Sequence, residues 1–305
     1  MQRKIDGMQA LIESCHVPPG KKVRVKDFPT KWPGDGAVGD LGKGALRERA
    51  SKLLQQTVEE LARAQELLYA NDIYSVLTVF QAMDAAGKDG TIKHVMSGIN
   101  PQGCQVFSFK RPSEEDLDHN YLWRYAKCLP ERGRIGIFNR SYYEEVLVVR
   151  VHPEILARQK LPPGKRGRGF WKQRYEDINN FEQHLARNGT LILKFFLNVS
   201  KDEQKRRFLD RLDRPEKNWK FSAADVDERN FWSEYMDAYS EMLSATSTPW
   251  APWYAVPADQ KYLTHAVVGR IFAERIDELG LEPPMPTPQQ KASLEEARQR
   301  LLAEK

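Results

Sequence analysis

The fold is decided by residues 74–95, YSVLTVFQAMDAAGKDGTIKHV. The first eight are mostly β-branched, aromatic or aliphatic with little polar alternation, which is typical of a strand buried on both faces of a parallel sheet. A Gly-Lys turn follows, and then a helical stretch over Thr91–Ser97. This order directs backbone N–H groups and a helix N-terminus at an anion, with Lys88 as a mobile counter-charge. The segment therefore predicts a phosphate-binding loop.

The same kind of apolar run recurs along the chain and predicts four further strands, at 104–109, 134–139, 190–199 and 253–257. Helical patterns lie around them, at 45–70, 114–128, 170–187, 201–212, 223–243 and 259–279. Strands alternating with helices predict one doubly wound α/β domain with a five-stranded parallel sheet. We expect residues 1–44, rich in Pro, Gly and Lys, to be an extended arm, residues 45–282 to form one catalytic domain, and residues 283–305 to be a helical tail.

Composition places the chain among ordinary globular proteins. Its 305 residues are 41% hydrophobic and 29% charged, which excludes a wholly disordered, collagen-like or disulfide-stapled chain. No apolar run reaches the ~18 residues of a membrane-spanning helix, and the first residues lack the apolar segment of a signal peptide. We expect a cytoplasmic protein that does not enter a membrane. Its three widely spaced cysteines predict reduced thiols.

The net charge of +5 conceals an asymmetry. Residues 1–220 hold 39 Lys and Arg against 28 Asp and Glu, whereas residues 221–305 hold 8 against 14. An anion is therefore expected to bind the first two thirds of the chain. Charge alone does not separate nucleic acid, an acidic membrane surface and a phosphorylated small molecule.

The loop departs from the standard pattern G-x-x-x-x-G-K-[ST] at two positions. Ala82 stands where the first Gly belongs, and Asp89 replaces the hydroxyl residue that ligates Mg²⁺. A solvated Lys in an ordinary turn is the alternative reading. However, Asp84 and Asp89 flank Lys88, and carboxylates beside bound phosphate repel it unless a divalent cation lies between them. A metal-phosphate site with Asp84 and Asp89 as metal ligands accounts for these acids.

A second loop, GRIGIFNRSYYEEVLV at 133–148, follows another buried strand. Ligands collect at the carboxyl ends of parallel strands, so Arg140 is expected in the same crevice as Lys88. Ser141 and Glu144 also match the S-x-x-E capping box of a helix N-terminus, and Glu144 can face the crevice as well. Glu145 is expected to be a solvated first-turn acid.

These two loops together resemble those of the family-2 polyphosphate kinases. The resemblance extends to DEQKRRFLDRLDRPEKNWKFS at 202–222 and TPWAPWYAVPADQKY at 248–262, and it covers about residues 15–280 in order. It implies a P-loop kinase-like three-layer fold with a helical lid, and transfer of phosphoryl groups between inorganic polyphosphate and nucleotides using Mg²⁺, with Mn²⁺ as a substitute. Many members carry a metal-linked Asp at the position of Asn139. Asn139 with Glu144 resembles instead the class III subgroup, which phosphorylates AMP and ADP.

Residue roles follow from the resemblance. Asp84, Lys88 and Arg140 would be catalytic, and Asn139, Arg140 and Glu144 would bind the nucleotide. The phosphate loop would contribute Ala85, Ala86, Gly87, Lys88, Asp89 and Gly90. From the lid, at about 160–222, the family motif selects Arg207, Arg211, Lys217 and Lys220 as polyphosphate contacts, with Trp219 and Phe221 as anchors.

The basic residues of the predicted lid favour binding of a long anion. Residues 160–174 contain six basic residues and no acid, within a Pro- and Gly-rich stretch that predicts a mobile loop. Successive phosphates along a chain need several separated cations. The reaction does not require a histidine as general base, because phosphoryl transfer depends on positioning and charge neutralisation.

The resulting hypothesis is a Mg²⁺-dependent, reversible polyphosphate:AMP/ADP phosphotransferase. A kinase that uses ATP as donor and a non-catalytic polyanion- or RNA-binding module are the alternatives. Expected partners are inorganic polyphosphate and adenine nucleotides, with other purine nucleotides as a further option, and no nucleic acid. The family often forms dimers and tetramers, so we expect a homo-oligomer.

Overall fold

The computed structural model describes residues 6–32, 43–222 and 224–304. Its sheet has five parallel strands in the order β2-β3-β1-β4-β5. They are β1 (Ser75–Gln81), β2 (Cys104–Ser108), β3 (Ile135–Asn139), β4 (Thr190–Asn198) and β5 (Trp253–Pro257). The predicted α/β class is confirmed, and the strand that precedes the phosphate loop is the central one.

Helices surround this sheet. They are α1 (Asp6–Cys15), α2 (Lys43–Asn71), α3 (Lys88–Val95), α4 (Glu114–Asp118), α5 (Trp123–Ala126), α6 (Val148–Val151), α7 (Pro153–Ala157), α8 (Arg168–Arg187), α9 (Lys201–Leu212), α10 (Ala224–Asp227), α11 (Trp232–Thr246), α12 (Lys261–Asp277) and α13 (Pro288–Ala303). Short 3-10 helices lie at Val25–Asp27, Pro101–Gly103, Tyr142–Val146, Pro215–Lys220 and Glu228–Phe231. Helix α2 packs along α12, and α8 packs against β4 and α11.

Two predicted helices are divided into shorter elements. The helix predicted over 114–128 is α4 and α5, separated by a turn in which the Asn120 side chain accepts a hydrogen bond from the Leu122 N–H. The helix predicted over 223–243 is α10, a 3-10 turn and α11. A side-chain hydrogen bond marks the first interruption, and a change of the backbone from α to 3-10 geometry marks the second.

The prediction of an extended arm over residues 1–44 is wrong for Asp6–Cys15, which form α1, while residues 1–5 and 33–42 lie outside the described part of the chain. Leu11, Ile12 and Cys15 are buried in the main core. The Val17 N–H donates to the Trp253 carbonyl at 2.9 Å. The arm therefore covers β5, whose backbone would otherwise be an open sheet edge.

The three cysteines are free thiols, as predicted. Burial raises the pKa of the Cys15 thiol to about 12, so this residue behaves as an apolar core side chain. Among the described helices, none is both long and apolar enough to cross a membrane.

Candidate active site

The phosphate loop turns sharply between β1 and α3. Ala85 and Gly87 both have positive φ, 60° and 110°, in the left-handed region that glycine tolerates best. The Ala86 N–H donates to the Met83 carbonyl, and the Thr91 N–H donates to the Gly87 carbonyl in the first turn of α3. The loop thus delivers the N-terminus of α3 to the carboxyl edge of the sheet, as the sequence predicts.

Lys88 begins α3 and is buried. Its Nζ donates to the carbonyl of Ala82 at 2.9 Å. Burial, and then the nearby Arg140 guanidinium, lower the pKa of Lys88, while Asp84, Glu144 and Asp89 oppose this shift. Because a buried ammonium is costly without an anionic partner, this position favours an anion beside the loop.

Two side-chain contacts join the second loop to the phosphate loop. The Arg140 Nη2 donates to the Asp84 Oδ1 at 2.8 Å, and the Asn139 Nδ2 donates to the Asp89 Oδ1 at 2.8 Å. The register Phe80 to Asn139 places the ends of β1 and β3 side by side, which brings these loops together. Strand pairing thus brings together residues that are 56 and 50 positions apart in the sequence.

Arg140 is held in an unusual backbone conformation, with φ at 65°. Its N–H donates to the Phe80 carbonyl at 3.1 Å, which fixes the turn. The Glu144 carboxylate lies 3.8 Å from the guanidinium, and Glu144 and Asp84 together raise the pKa of Arg140 although burial opposes them. Arg140 is therefore a permanent cation between two acids at the rim of the crevice.

The residues after Arg140 agree with the sequence only in part. Ser141 caps a 3-10 turn, Tyr142–Val146, by accepting from the Tyr143 N–H, and Glu144 faces Arg140. The expectation of a solvated Glu145 is wrong: it is buried, and it accepts from the Arg174 Nε at 3.0 Å and the Gln159 Nε2 at 2.8 Å. Burial raises the pKa of Glu145 despite these partners.

The structure corrects the role of Arg207. Only 4% of this residue is exposed, and its guanidinium donates five hydrogen bonds to protein acceptors. Two go to the carbonyls of Ala85 and Ala86 at 3.0 and 2.6 Å. Arg207 therefore supports the phosphate loop through its two carbonyls. Because all five N–H groups of the guanidinium are used, none is left to bind polyphosphate.

The other predicted lid residues have different surroundings. Arg211 is partly exposed, with its guanidinium carbon 5.6 Å from the centre of the Phe208 ring. Phe221 packs edge-on against Phe208 at 6.1 Å, whereas Trp219 is 78% exposed. The side chains of Lys217 and Lys220 lie outside the described part of the structure.

Sequence reasoning missed two residues at the crevice. The Gln204 Nε2 donates to the Asp84 carbonyl at 2.9 Å, so α9 supports the loop at a second point. Burial and then the Asp84 carboxylate raise the pKa of Asp225, and the opposing charges of Arg211 and Arg140 are close enough to lower it. Asp225, on α10, therefore lies within electrostatic range of Asp84, Arg140 and Arg211. Gln204 lies inside the quoted motif at 202–222, but nothing local in the sequence marks Asp225.

No group of three or more Asp, Glu, His or Cys residues suited to a metal occurs within the described residues. The donor set offered by Asp84 and Asp89 is two carboxylates beside a phosphate loop. Mg²⁺ is commonly held by one or two carboxylates together with substrate phosphates and water. The residues present therefore fit Mg²⁺ that is completed by phosphate oxygens.

The family model described as Polyphosphate kinase 2 (PPK2) matches residues 45–282. The chain belongs to the polyphosphate kinase 2 family. It is 54% identical over 290 residues to the ADP-polyphosphate phosphotransferase of Rhodopseudomonas palustris, covering 92% of this chain and 99% of that protein. It is 43% identical over 275 residues to the AMP/ADP-polyphosphate phosphotransferase of Meiothermus ruber, covering 90% and 96%.

A solved structure of the family gives the same fold. The crystal structure of polyphosphate kinase 2 from Arthrobacter aurescens is 36% identical, with a TM-score of 0.79 over 93% of this chain and 96% of that chain. The family resemblance seen in the two loops is thus confirmed over almost the whole chain.

Proposed function

We propose that this polyphosphate kinase 2 family protein transfers a terminal phosphoryl group from inorganic polyphosphate to AMP and ADP, in a reversible reaction. The observation that carries the proposal is the junction of the two loops, where Arg140 contacts Asp84 and Asn139 contacts Asp89 at the carboxyl edge of the sheet. The names of the two relatives from Rhodopseudomonas palustris and Meiothermus ruber support the substrates. Acceptance of both AMP and ADP, and with it the class III assignment, rests on Asn139, Glu144 and the second relative.

The cations of the crevice neutralise charge that spreads over the transferred group. Lys88 and the N–H groups of Ala85, Gly87, Lys88, Asp89 and Gly90 surround the phosphate position, and Arg140 approaches it from the second loop. Ala86 contributes to the shape of the loop, because its own N–H donates to the Met83 carbonyl. In line attack by a terminal oxygen of the nucleotide needs donor and acceptor held in a fixed geometry. The turn at Arg140 and the brace at Arg207 supply that rigidity.

Asp84 and Asp89 would hold Mg²⁺, for which Mn²⁺ would substitute. When bound there, the ion would supply positive charge that offsets the charge of the phosphates. Arg140 and Asn139 orient the two carboxylates through the 2.8 Å contacts, so each acid has a partner that fixes its direction. Asn139, Arg140 and Glu144 form the nucleotide side of the crevice.

The lid contributes Arg211, Lys217 and Lys220 as polyphosphate contacts, and Asp225 lies within electrostatic range of Asp84. Closure of this segment would exclude water and limit hydrolysis. We further propose that residues 45–282 are the catalytic domain and that α13 is a separate tail, since its residues are exposed along its length. We also propose that the protein forms a homo-oligomer, does not bind nucleic acid and is cytoplasmic. The free thiols support the cytoplasmic location.

One assay tests the function. Purified protein, Mg²⁺ and either AMP or ADP are incubated with polyphosphate or with ATP as the sole donor, and products are followed in both directions. We expect ADP from AMP, and ATP from ADP, with polyphosphate. Product from AMP with ATP alone would instead support an ATP-dependent kinase. Salt-sensitive RNA binding without phosphoryl transfer would support a non-catalytic binding module.

A further inference from the structure

A charged pair lies in the core, in contact with the second loop. Glu182 of α8 and Lys194 of β4 have fully buried side chains, and the Lys194 Nζ lies 2.6 Å from the Glu182 Oε2. With no exposed surface, neither side chain can touch a substrate. Burying two charges often costs as much as their attraction returns, and apolar residues of similar volume commonly stabilise a core at least as well. Stability alone therefore does not account for a charged pair at this place.

The pair binds two consecutive tyrosines of the second loop by their hydroxyls. Tyr142 and Tyr143 each donate to the Glu182 Oε1 at 2.8 Å. The Lys194 Nζ donates to the Tyr143 hydroxyl at 2.8 Å and to the Thr246 carbonyl at 2.7 Å. All three N–H groups of the ammonium and both oxygens of the carboxylate are thus engaged. Because each of these groups has a partner, the network holds its members in one arrangement.

The two tyrosine rings are enclosed by the core. Tyr142 and Tyr143 are fully buried. The Tyr142 ring packs edge-on against Phe181 at 5.5 Å, and the Tyr143 ring packs edge-on against Trp253 at 4.8 Å. Hydrophobic contact is non-directional, whereas a hydrogen bond depends on angle as well as distance. The hydroxyl contacts with the charged pair therefore fix the direction in which each ring enters the core.

The backbone transmits this constraint to Arg140, which only Ser141 separates from Tyr142. On its other side, the Arg140 N–H donates to the Phe80 carbonyl at the end of β1, at 3.1 Å. Ser141 is buried and extended, and its hydroxyl accepts from the Tyr143 N–H at 3.3 Å. Arg140 therefore takes its φ of 65° between a strand end and two anchored tyrosines. Such a conformation is costly outside glycine and persists only where the surrounding structure enforces it.

We propose that the buried Glu182–Lys194 pair positions Arg140 for phosphoryl transfer. This inference rests on the proposed function and adds to it two positioning residues that act through the tyrosines of the second loop. The Arg140 guanidinium, 2.8 Å from the Asp84 Oδ1, is the group that the network directs. Without the hydroxyl anchors, the loop relaxes from its strained turn and the guanidinium shifts. A displacement of about 1 Å can lower a rate about a hundredfold, so a small relaxation is enough to lower kcat.

The test separates positioning from stability. Lys194→Met alone leaves the Glu182 carboxylate without a cation, so Tm should fall by about 6 to 10 °C. Lys194→Met combined with Glu182→Leu removes both charges, and Tm should return to within about 4 °C of the unaltered protein. The kcat of this apolar pair should still be about tenfold lower or more, with each KM changed less than about threefold. Recovery of kcat together with Tm would show a purely structural pair and overturn the proposal.

A milder variant decides the question even where the apolar pair does not fold. Tyr142→Phe with Tyr143→Phe removes the two hydroxyls and keeps both rings and the charged pair. Its kcat should fall about threefold to tenfold, the effect of losing one or two buried hydrogen bonds. The matched control is Tyr254→Phe, a buried tyrosine of β5 whose change should alter kcat less than about twofold. An unchanged kcat in the double Phe variant would refute the positioning role.

Combination with Arg140→Ala shows whether the network acts through Arg140. Adding the two tyrosine changes to Arg140→Ala should lower the residual kcat less than about twofold, because the group to be positioned is absent. A further loss of full size would contradict the proposal. All variants are compared using whichever donor, polyphosphate or ATP, supports turnover of the unaltered protein. Turnover with ATP alone would count against the proposed function and leave the comparison among variants intact, so the two failures are distinguishable.

Discussion

Replacing Arg207 with Met tests whether this arginine braces the phosphate loop or contacts polyphosphate. The substitution keeps the volume of the stem and removes all five donors. The carbonyls of Ala85, Ala86 and Ala258, bound at 3.0, 2.6 and 2.6 Å, then lose a charged partner. Glu203 loses its 2.7 Å contact with the Arg207 Nε but keeps Arg206.

The expected cost follows from these contacts. Removing one member of a buried charged network costs about 3 to 5 kcal/mol, and each unsatisfied buried carbonyl alone costs about 1 to 3 kcal/mol. Allowing for relaxation and entry of water, we expect a loss of about 4 kcal/mol of unfolding free energy. At about 2 °C per kcal/mol for a chain of this size, Tm should fall by about 8 °C. The kcat should fall about tenfold or more, because the loop loses its support.

The matched control is Arg206→Met. Arg206 precedes Arg207 and also bonds Glu203, at 2.7 and 2.6 Å, but 64% of its side chain is exposed. Exposed pairs contribute about 0 to 1 kcal/mol, so its Tm should change by at most about 2 °C. Thermal unfolding and steady-state kinetics are measured for both variants. An Arg207→Met protein with unchanged Tm and a raised KM for polyphosphate would refute the brace and restore the direct contact.

Three further predictions concern the loop, the core and pH. Gly87→Ala should lower the free energy of unfolding by about 1 to 2 kcal/mol and lower kcat, because φ is 110° at this position and a side chain strains that backbone. A clash would not contribute, since the new Cβ would lie an ordinary 3.6 Å from Arg207. Unchanged Tm and kcat would contradict this prediction. In the core, the Lys194 Nζ lies 2.6 Å from the buried Glu182 carboxylate. Lys194→Met should lower the free energy of unfolding by about 3 to 5 kcal/mol, because it leaves that carboxylate without a cation, and adding Glu182→Leu should recover much of the loss. Chemical denaturation of both variants checks this. Burial lowers the pKa of His265 from 6.5 to about 4. Between pH 6.5 and pH 4, the unfolded chain therefore binds a proton at this histidine that the folded chain does not bind. The free energy of unfolding consequently falls as the pH drops through this range. His265→Gln should therefore lose less Tm between pH 7 and pH 5 than the unaltered protein, and an equal loss would contradict the assignment.

The local pattern of the sequence was sufficient for the sheet and the loops. All five strands follow from runs of apolar residues, and α2 follows from apolar residues at three- and four-residue spacing, because both patterns are properties of neighbours along the chain. The helix after the phosphate loop was also predicted, but over Thr91–Ser97, whereas α3 begins three residues earlier and spans Lys88–Val95. These features also carried the family resemblance.

The environment of single charges depended on the tertiary structure. Sequence reasoning treated Arg207 as a phosphate contact and Glu145 as solvated, yet both are buried among partners brought from other elements. Nothing near Asp225 in sequence marks its electrostatic interaction with Asp84. Whether a charged side chain meets water, a carbonyl or a ligand is set by which segments pack over it, and that packing is not encoded at the residue itself.

The sequence by itself therefore determined the α/β fold, the two loops and the excess of cations in the first 220 residues. Only the tertiary structure divided those cations among different tasks. Strand order placed Arg140 against Asp84, and α9 placed Arg207 beneath the loop. The packing of α8 against β4 paired Lys194 with Glu182 in the core. Charge composition is additive along a chain, whereas the free energy of each charge depends on its three-dimensional neighbours.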